Sequence, residues 1–457
     1  MTLSLSRRAL LQGLCTFPLG ATFARAQTFA ELNVDSRIIE VNGRAAKVFD
    51  IVNSRGGRGL SLMLGERFQV RVKNGLADET LLHWHGLNPP SAQDGVPMLS
   101  QALLKPGESF DYDFANSRSG THWMHSHFGL QEQQLLAAPL IVRETAEPLF
   151  DEEEHVVLLH DFSFRDPKEI MAEMTGDDSG HGTHTTGGLL NDISYDAYLA
   201  NDRTLADPEV VRLNRGTQIR LRIINGAAAT NMWIDLDALA GELIAVDGNA
   251  IYPIRGSLFP LAIAQRADIR VKLPDATGAW PILFRAEGLA ARTGIYLATQ
   301  GAGISKLSSE GDVTPQLSVA QEMRLRSVAV LPPEPVTRTE ILTLTGGGSD
   351  YRWGLNGKSS MHDTIFTVRE GERIEVIMQN QTGMAHPMHL HGHYFKVAAI
   401  NNVAIEGALR DTVLVPPSMS VTIRFAADNP GNWAFHCHHL YHMNAGMMGA
   451  IRYSNAA

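Results

Sequence analysis

An all-β chain built from three Greek-key β-sandwich domains is what the sequence predicts, on three observations. The first is a repeat. Gly65–Asn74, Gly216–Asn225 and Gly371–Asn380 each open with glycine, alternate apolar and polar residues, and end at asparagine. That alternation marks a half-buried strand. The second is spacing. The copies start 151 and 155 residues apart, far too long for a solenoid repeat and suited to three copies of one β-domain. The third is the succession of short strand-like runs between Gly- and Pro-rich turns, the pattern of a sandwich.

Taken in order, residues 1–26 read as an export signal. Arg7 and Arg8 precede the apolar run Ala9–Ala21, and Ala24-Arg25-Ala26 is a cleavage pattern of small residues. The paired arginines point to the twin-arginine route and a periplasmic location. Leu10 and Gln12 stand where that signal carries Phe and Lys, so ordinary secretion is the alternative. The apolar run is too short to span a bilayer, and no membrane insertion is expected. Domain one is expected over 27–147 and domain two over 148–303. A polar linker, 304–338, ends in Pro332-Pro333-Glu334-Pro335, and domain three covers 339–457. Inside domain two, Asp177–Gly188 is turn-rich and aperiodic. Met171, Met174, His181 and His184 there are either incidental to a loop or a soft-metal docking arm.

Cleavage after Ala26 removes three arginines and no acid, taking the net charge from −10 to −13. That sign argues against nucleic acid or an anionic membrane as partner. It suits small cationic substrates, and equally plain solubility. Cys15 leaves with the signal, so Cys437 is the only cysteine of the mature chain and an intramolecular disulfide is excluded.

The repeat also organises the histidines. Nine residues after Asn74 comes His83-Trp84-His85-Gly86, and nine after Asn380 comes His389-Leu390-His391-Gly392. Nine after Asn225 there is only Ile234-Asp235-Leu236. In a second register, Gly120 leads to His125-Ser126-His127 and Gly431 to His436-Cys437-His438, whereas Gly278 leads to Leu283-Phe284-Arg285. Two histidines flanking one residue on a strand point to the same face. Domains one and three thus carry four such pairs, and the middle domain acts as a spacer or wall that lets them meet. Imidazole alone does not choose between copper, zinc, iron and nickel. Cys437 with His442, Met447 and His386 does, because Cys, two His and a weak axial Met make the blue-copper electron-transfer set. The expectation is four coppers: one at His386, Cys437, His442 and Met447, and three among the eight paired histidines.

These motifs resemble the four copper motifs of three-domain multicopper oxidases. The resemblance covers essentially the whole mature chain. Gln131-Glu132-Gln133 and Asp161–Pro167 are similar to the periplasmic copper-resistance branch. The resemblance implies three cupredoxin-like domains. It implies type 1 copper at His386, Cys437, His442 and Met447, and type 2 copper at His83 and His389. The type 3 pair falls to His85, His125, His127, His391, His436 and His438. Electrons then pass from the type 1 site through Cys437 to His436 and His438, and four of them convert dioxygen to two waters. Axial Met447 implies a lower potential than Leu or Phe would. Asp94 matches the acid beside the type 2 copper that helps supply protons; as a plain residue it is an Asp-Gly turn. Met443 stands where some relatives place a second acid. His122, His393 and His439 read as packing or orienting residues.

The reducing substrate is the open choice. Met384 lies two residues before His386, where cuprous-oxidase relatives place a docking thioether, and Met361 and Asp363 lie in a segment similar to one that supplies further docking ligands. Thioether suits Cu(I). Thr382 departs from the acid found in those relatives, and no Met-rich helix precedes His386. Cu(I) oxidation in copper tolerance is expected, with a laccase-like oxidase of phenols and aromatic amines as alternative. From another class, a periplasmic copper buffer or scaffold remains; copper content and turnover separate it. A monomer is expected, since one chain brings both histidine-bearing domains together.

Overall fold

The computed structural model describes residues 29–144, 153–176, 190–329 and 335–454. The expected signal, His181 and His184 lie outside the described residues. The described chain forms six β-sheets, two for each third of the sequence. Two four-stranded sheets are followed by a six- and a five-stranded pair, then a seven- and a five-stranded pair. Each third closes its own apolar core, around Phe68 and Trp84, around Leu221 and Phe284, and around Trp353 and Phe435. Among the described residues no helix is long and apolar enough to cross a membrane.

The three repeat segments occupy the same place in their sheets. Arg67–Asn74 lies between the parallel strand Ala30–Val41 and the antiparallel strand Ser109–Ala115. Gln218–Asn225 lies between parallel Glu153–Phe162 and antiparallel Arg266–Lys272. Arg373–Asn380 lies between parallel Arg338–Gly346 and antiparallel Ser420–Ala426. The outer copies alternate as expected, burying Phe68, Val70 and Val72, or Ile374, Val376 and Met378. The middle copy does not: Leu221 through Asn225 are all buried. Its second face is covered by the first unit, where the fully buried Arg222 donates to Thr121 Oγ1 at 3.1 Å.

The asparagine ending each copy has a common task. Asn74 Nδ2 donates to Asp78 O and Leu104 O, each at 2.9 Å, and its Oδ1 accepts from Leu76 N. Asn225 makes the same three bonds with Thr230, Leu261 and Ala227. Asn380 makes them with Met384, Val415 and Thr382. This Asx clamp turns the chain and aims it at the strand nine residues on, which in the outer units carries histidine.

The stretch after residue 303 lies along the middle unit. Trp233 Nε1 donates to Pro315 O at 2.9 Å, and Leu317 and Leu325 are buried. One element had no counterpart in the sequence reading, the helix Pro167–Thr175. Asp166 caps its start by accepting from Lys168 N, and Gly176 ends it in the left-handed conformation. Its Ile170 joins the core of the third unit, and Met171 and Met174 pack against that core.

Candidate metal centre

The histidine strands face each other in pairs. Leu82–His85 runs antiparallel to Gly120–Ser126 with His83 opposite His125. His386–Leu390 runs antiparallel to Asn432–Cys437 with His389 opposite His436. In the middle unit the equivalent strands place buried Ile234 opposite buried Phe284. His127, His391 and His438 sit one residue past their strand ends. All eight paired histidines are buried and gather where the first and third units meet. Three groups have ring nitrogens within 4.8 Å of one another: His127, His391 and His436; His85, His125 and His438; and His83, His85 and His389.

Their hydrogen bonds show which nitrogen each ring offers. A carbonyl or carboxylate oxygen only accepts, so the ring nitrogen facing it carries the proton. His83 Nδ1 donates to Asp94 O and His389 Nδ1 to Asp411 O, both at 2.8 Å. His391 Nδ1 donates to Asp94 Oδ2 at 2.8 Å and His436 Nδ1 to Cys437 O at 2.9 Å. His125 Nδ1 meets Ser126 O at 3.0 Å and Glu132 Oε2 at 2.9 Å. Every Nε2 in this set therefore presents a bare lone pair. His391 Nε2 and His436 Nε2 lie 2.9 Å apart, and His125 Nε2 and His438 Nε2 3.4 Å apart. The Nε2 atoms of His83 and His389 are buried without a partner. His85 is turned the other way: Nε2 donates to Asp411 Oδ1 at 3.0 Å, and the unpartnered Nδ1 faces inward. Acceptors converging in a dry interior are unfavourable unless a cation sits among them. Burial, with neighbouring imidazoles, pushes His85, His127, His389, His391 and His438 well below the usual histidine value, and burial takes His436 to about 3. Neutral imidazole is the form that ligates a metal.

On the other face of the same strand lies Cys437, fully buried. Its Sγ is 3.6 Å from His386 Nδ1 and 3.9 Å from His442 Nδ1, and the two nitrogens are 3.2 Å apart. Both ring Nδ1 atoms are acceptors here, with His386 Nε2 donating to Thr382 Oγ1 at 2.7 Å and His442 Nε2 to Asp192 Oδ2 at 3.2 Å, while the thiol still carries its proton. A trigonal His2Cys set is the blue-copper donor arrangement. Met447 is buried in the same core, and its carbonyl accepts from Cys437 N at 3.0 Å. Trp353 covers His442, with ring centroids 4.0 Å apart. Burial raises the Cys437 thiol, so metal uptake must drive off its proton.

The structure adds orienting groups to which the sequence reading assigned no role. Glu132 holds His125, Asp411 holds His85 and His389, and Asp192 serves His442, His439 and the Tyr351 hydroxyl together. Burial works against ionisation of Asp192, but His439 and His442 outweigh it and hold the carboxyl well below its usual range. Asp94 touches His83 and His391 from a tight turn in which Gly95 has φ +79°. His393 Nδ1 donates to His391 O at 3.0 Å. His439 caps the helix Leu440–Asn444, and His122 lies beside Gly86 and Gly248. Met384 and Met361 are partly buried and pack against the core that holds Cys437. Asp363, in the same segment as Met361, accepts from Ala450 N at 2.9 Å through its carbonyl.

Family models described as multicopper oxidase match residues 33–147, 153–304 and 333–457. The chain is 32% identical over 437 residues to multicopper oxidase MmcO of Mycobacterium tuberculosis, with 91% of this chain and 85% of that protein covered. It is 26% identical to copper resistance protein A of Escherichia coli, with 99% of this chain and all of that protein covered. A solved structure of a multi-copper oxidase from Pseudomonas thermotolerans superposes with a TM-score of 0.74 at 25% identity, over 93% of this chain and 98% of that one. Three matched segments, one to each β-sandwich, and two buried donor sets suited to copper lead to one conclusion: the chain belongs to the multicopper oxidases.

Proposed function

We propose that this multicopper oxidase takes electrons one at a time from Cu(I) and delivers four to dioxygen, which leaves as water, in the service of copper tolerance. The observation that carries the copper assignment is the convergence of ring lone pairs in two buried clusters, each with its N–H protons turned outward. His386, Cys437, His442 and Met447 would hold type 1 copper. His83 and His389 would hold type 2, and His85, His125, His127, His391, His436 and His438 the type 3 pair. Bound copper supplies the one-electron steps and the oxygen chemistry. The chain keeps the imidazoles neutral, aims them, and excludes water. His436 and His438 flank Cys437 directly, so the two donor sets share one short covalent path. Asp94, bonded to His391 and His83, is placed to hold or pass protons at the cluster.

Cu(I) as substrate is supported by soft donors around the Cys437 site. Met171, Met174, Met361 and Met384 are all partly exposed and pack on the core containing Cys437 and Met447. Asp363, near Met361, would complete a docking set. Full-length similarity to copper resistance protein A points the same way. The alternative substrate is a phenol or aromatic amine, whose O–H or N–H would find a carboxylate acceptor in Asp192 beside His442, as the Tyr351 hydroxyl does. The reading includes export to the periplasm through residues 1–26 and a monomer.

Oxygen uptake by the copper-loaded protein tests it, comparing chelated Cu(I) with a simple phenol, each repeated with Met384→Ala. Fast Cu(I) oxidation that falls about tenfold or more in the variant, beside slow phenol turnover, is expected for a 1.4 kcal/mol change in docking. Fast phenol turnover with Cu(I) oxidation indifferent to Met384 would establish the laccase reading. Rapidly exchanging copper without oxygen uptake would mean a buffer, and no copper a scaffold.

A further inference from the structure

We propose that Arg266, supplied by the middle unit that holds none of the ligand histidines, is a positioning residue for the histidine cluster: through the Asp411 carboxylate it sets which ring nitrogen His85 presents beside His389. Arg266 has no exposed surface. Its guanidinium grips Asp411 with both terminal nitrogens, Nη1 donating to Oδ1 at 2.7 Å and Nη2 to Oδ2. Its Nε donates to Thr121 O of the first unit at 3.1 Å, and Nη1 also to Ala264 O of its own. One side chain thus touches all three units at the seam where the histidines meet.

Asp411 transmits that grip. Its Oδ1 accepts from His85 Nε2 at 3.0 Å and from Thr412 Oγ1 at 2.9 Å, and its carbonyl accepts from His389 Nδ1. The two rings stack with centroids 3.8 Å apart and planes 16° apart. They offer opposite nitrogens, Nδ1 from His85 and Nε2 from His389, both buried without a partner. The Asp411 carbonyl fixes the nitrogen of His389, but a freely rotating Asp411 carboxylate would not fix that of His85. A planar two-pronged grip holds it in one orientation, which a lysine ammonium, a point charge, would not do.

The grip is itself braced. Arg266 N donates to Asp247 Oδ1 at 2.9 Å, and Asp247 Oδ2 accepts from Arg410 Nη1 at 3.0 Å. Arg410 in turn pairs with Glu322 at 2.9 Å. Buried ion pairs of this kind add little net stability, because desolvation offsets their attraction. Orientation is what the arrangement delivers. Gly86 agrees: a Cβ there would stand 2.6 Å from Arg266 Nη2, so the residue after His85 is kept bare for the guanidinium.

The inference rests on His85 and His389 holding copper. Its test uses the full copper-loaded chain and Arg266→Lys. Three readouts are needed: copper lost from the cluster to an added chelator, the blue centre at Cys437, and denaturant unfolding of the copper-free protein. Groups that orient metal ligands change affinity by about 10–100-fold when removed. Arg266→Lys is therefore expected to release cluster copper at least about tenfold faster while keeping the blue centre, and the copper-free unfolding midpoint gives separately the cost of the hydrogen bonds lost to Thr121 O and Ala264 O. Cluster copper retained at the wild-type rate would overturn the proposal, as would loosening of both sites in parallel. If Arg266→Lys does not fold, Arg266→Gln, which leaves Asp411 in place, is read the same way. A wild-type chain that takes up copper only at Cys437 would instead sink the copper assignment, whereas equal retention in variant and wild type sinks this inference alone.

Discussion

Gly86 and Thr382 are small residues whose chemistry is exposed only by their neighbours. Gly86 has φ +92°, and a Cβ there would also stand 2.5 Å from His122 Nδ1. Gly86→Ala is expected to cost about 2–3 kcal/mol through backbone strain and displacement of Arg266, measured as a lowered denaturant midpoint. Thr382 is buried and takes the proton of His386 Nε2. Thr382→Val keeps the shape and strands a buried N–H, at a cost of about 1–3 kcal/mol. Unfolding of the copper-free protein reads that cost, and the copper-loaded spectrum should change at the Cys437 centre with no change in the cluster. A spectrum identical to wild type would show that Thr382 does not orient His386.

The Asx clamp is an element-level device used three times, and the copies separate fold from chemistry. Asn225→Ala breaks bonds to Thr230 and Leu261 in the unit without paired histidines. It is expected to destabilise by about 2–4 kcal/mol and leave copper content intact. Asn380→Ala breaks the bonds to Met384 and Val415, which set the path into His386–Leu390. It should cost a similar amount and also lower copper at the Cys437 site. Urea denaturation with copper analysis checks both; equal copper loss in the two variants would remove the distinction.

For the molecule as a whole, burying so many neutral histidines makes the copper-free protein sensitive to acid. His436 is pushed to about 3, and His442 and His160 to about 4, in each case chiefly by burial. Below about pH 6.5 the unfolded chain binds protons that the folded chain refuses. Stability is therefore full above pH 6.5 and falls as pH drops toward 4, by about 1.4 kcal/mol per pH unit for each such histidine. Unfolding midpoints of the copper-free protein at pH 7.5 and 5 measure it; equal midpoints would contradict the buried neutral state. Copper loading near neutral pH should release protons, because the Cys437 thiol is held protonated by burial until a metal displaces its proton.

Much of this was legible along the chain. Histidine pairs one residue apart become shared-face donors through strand alternation alone, and the repeat exposes which third lacks them. The helix Pro167–Thr175 was not read, because nine residues without a clean apolar stripe give no period to recognise. The orienting groups were not legible. Asp411 and His85 are 326 residues apart, and Asp192 and His442 250. A single acid or arginine with no local pattern is indistinguishable from a surface charge until folding buries it. Donor type and strand period are local properties, so the sequence alone carries which side chains are candidate donors and how often the unit repeats. Which nitrogen each ring offers depends on partners from other units, so only the packed molecule settles the aim of the site.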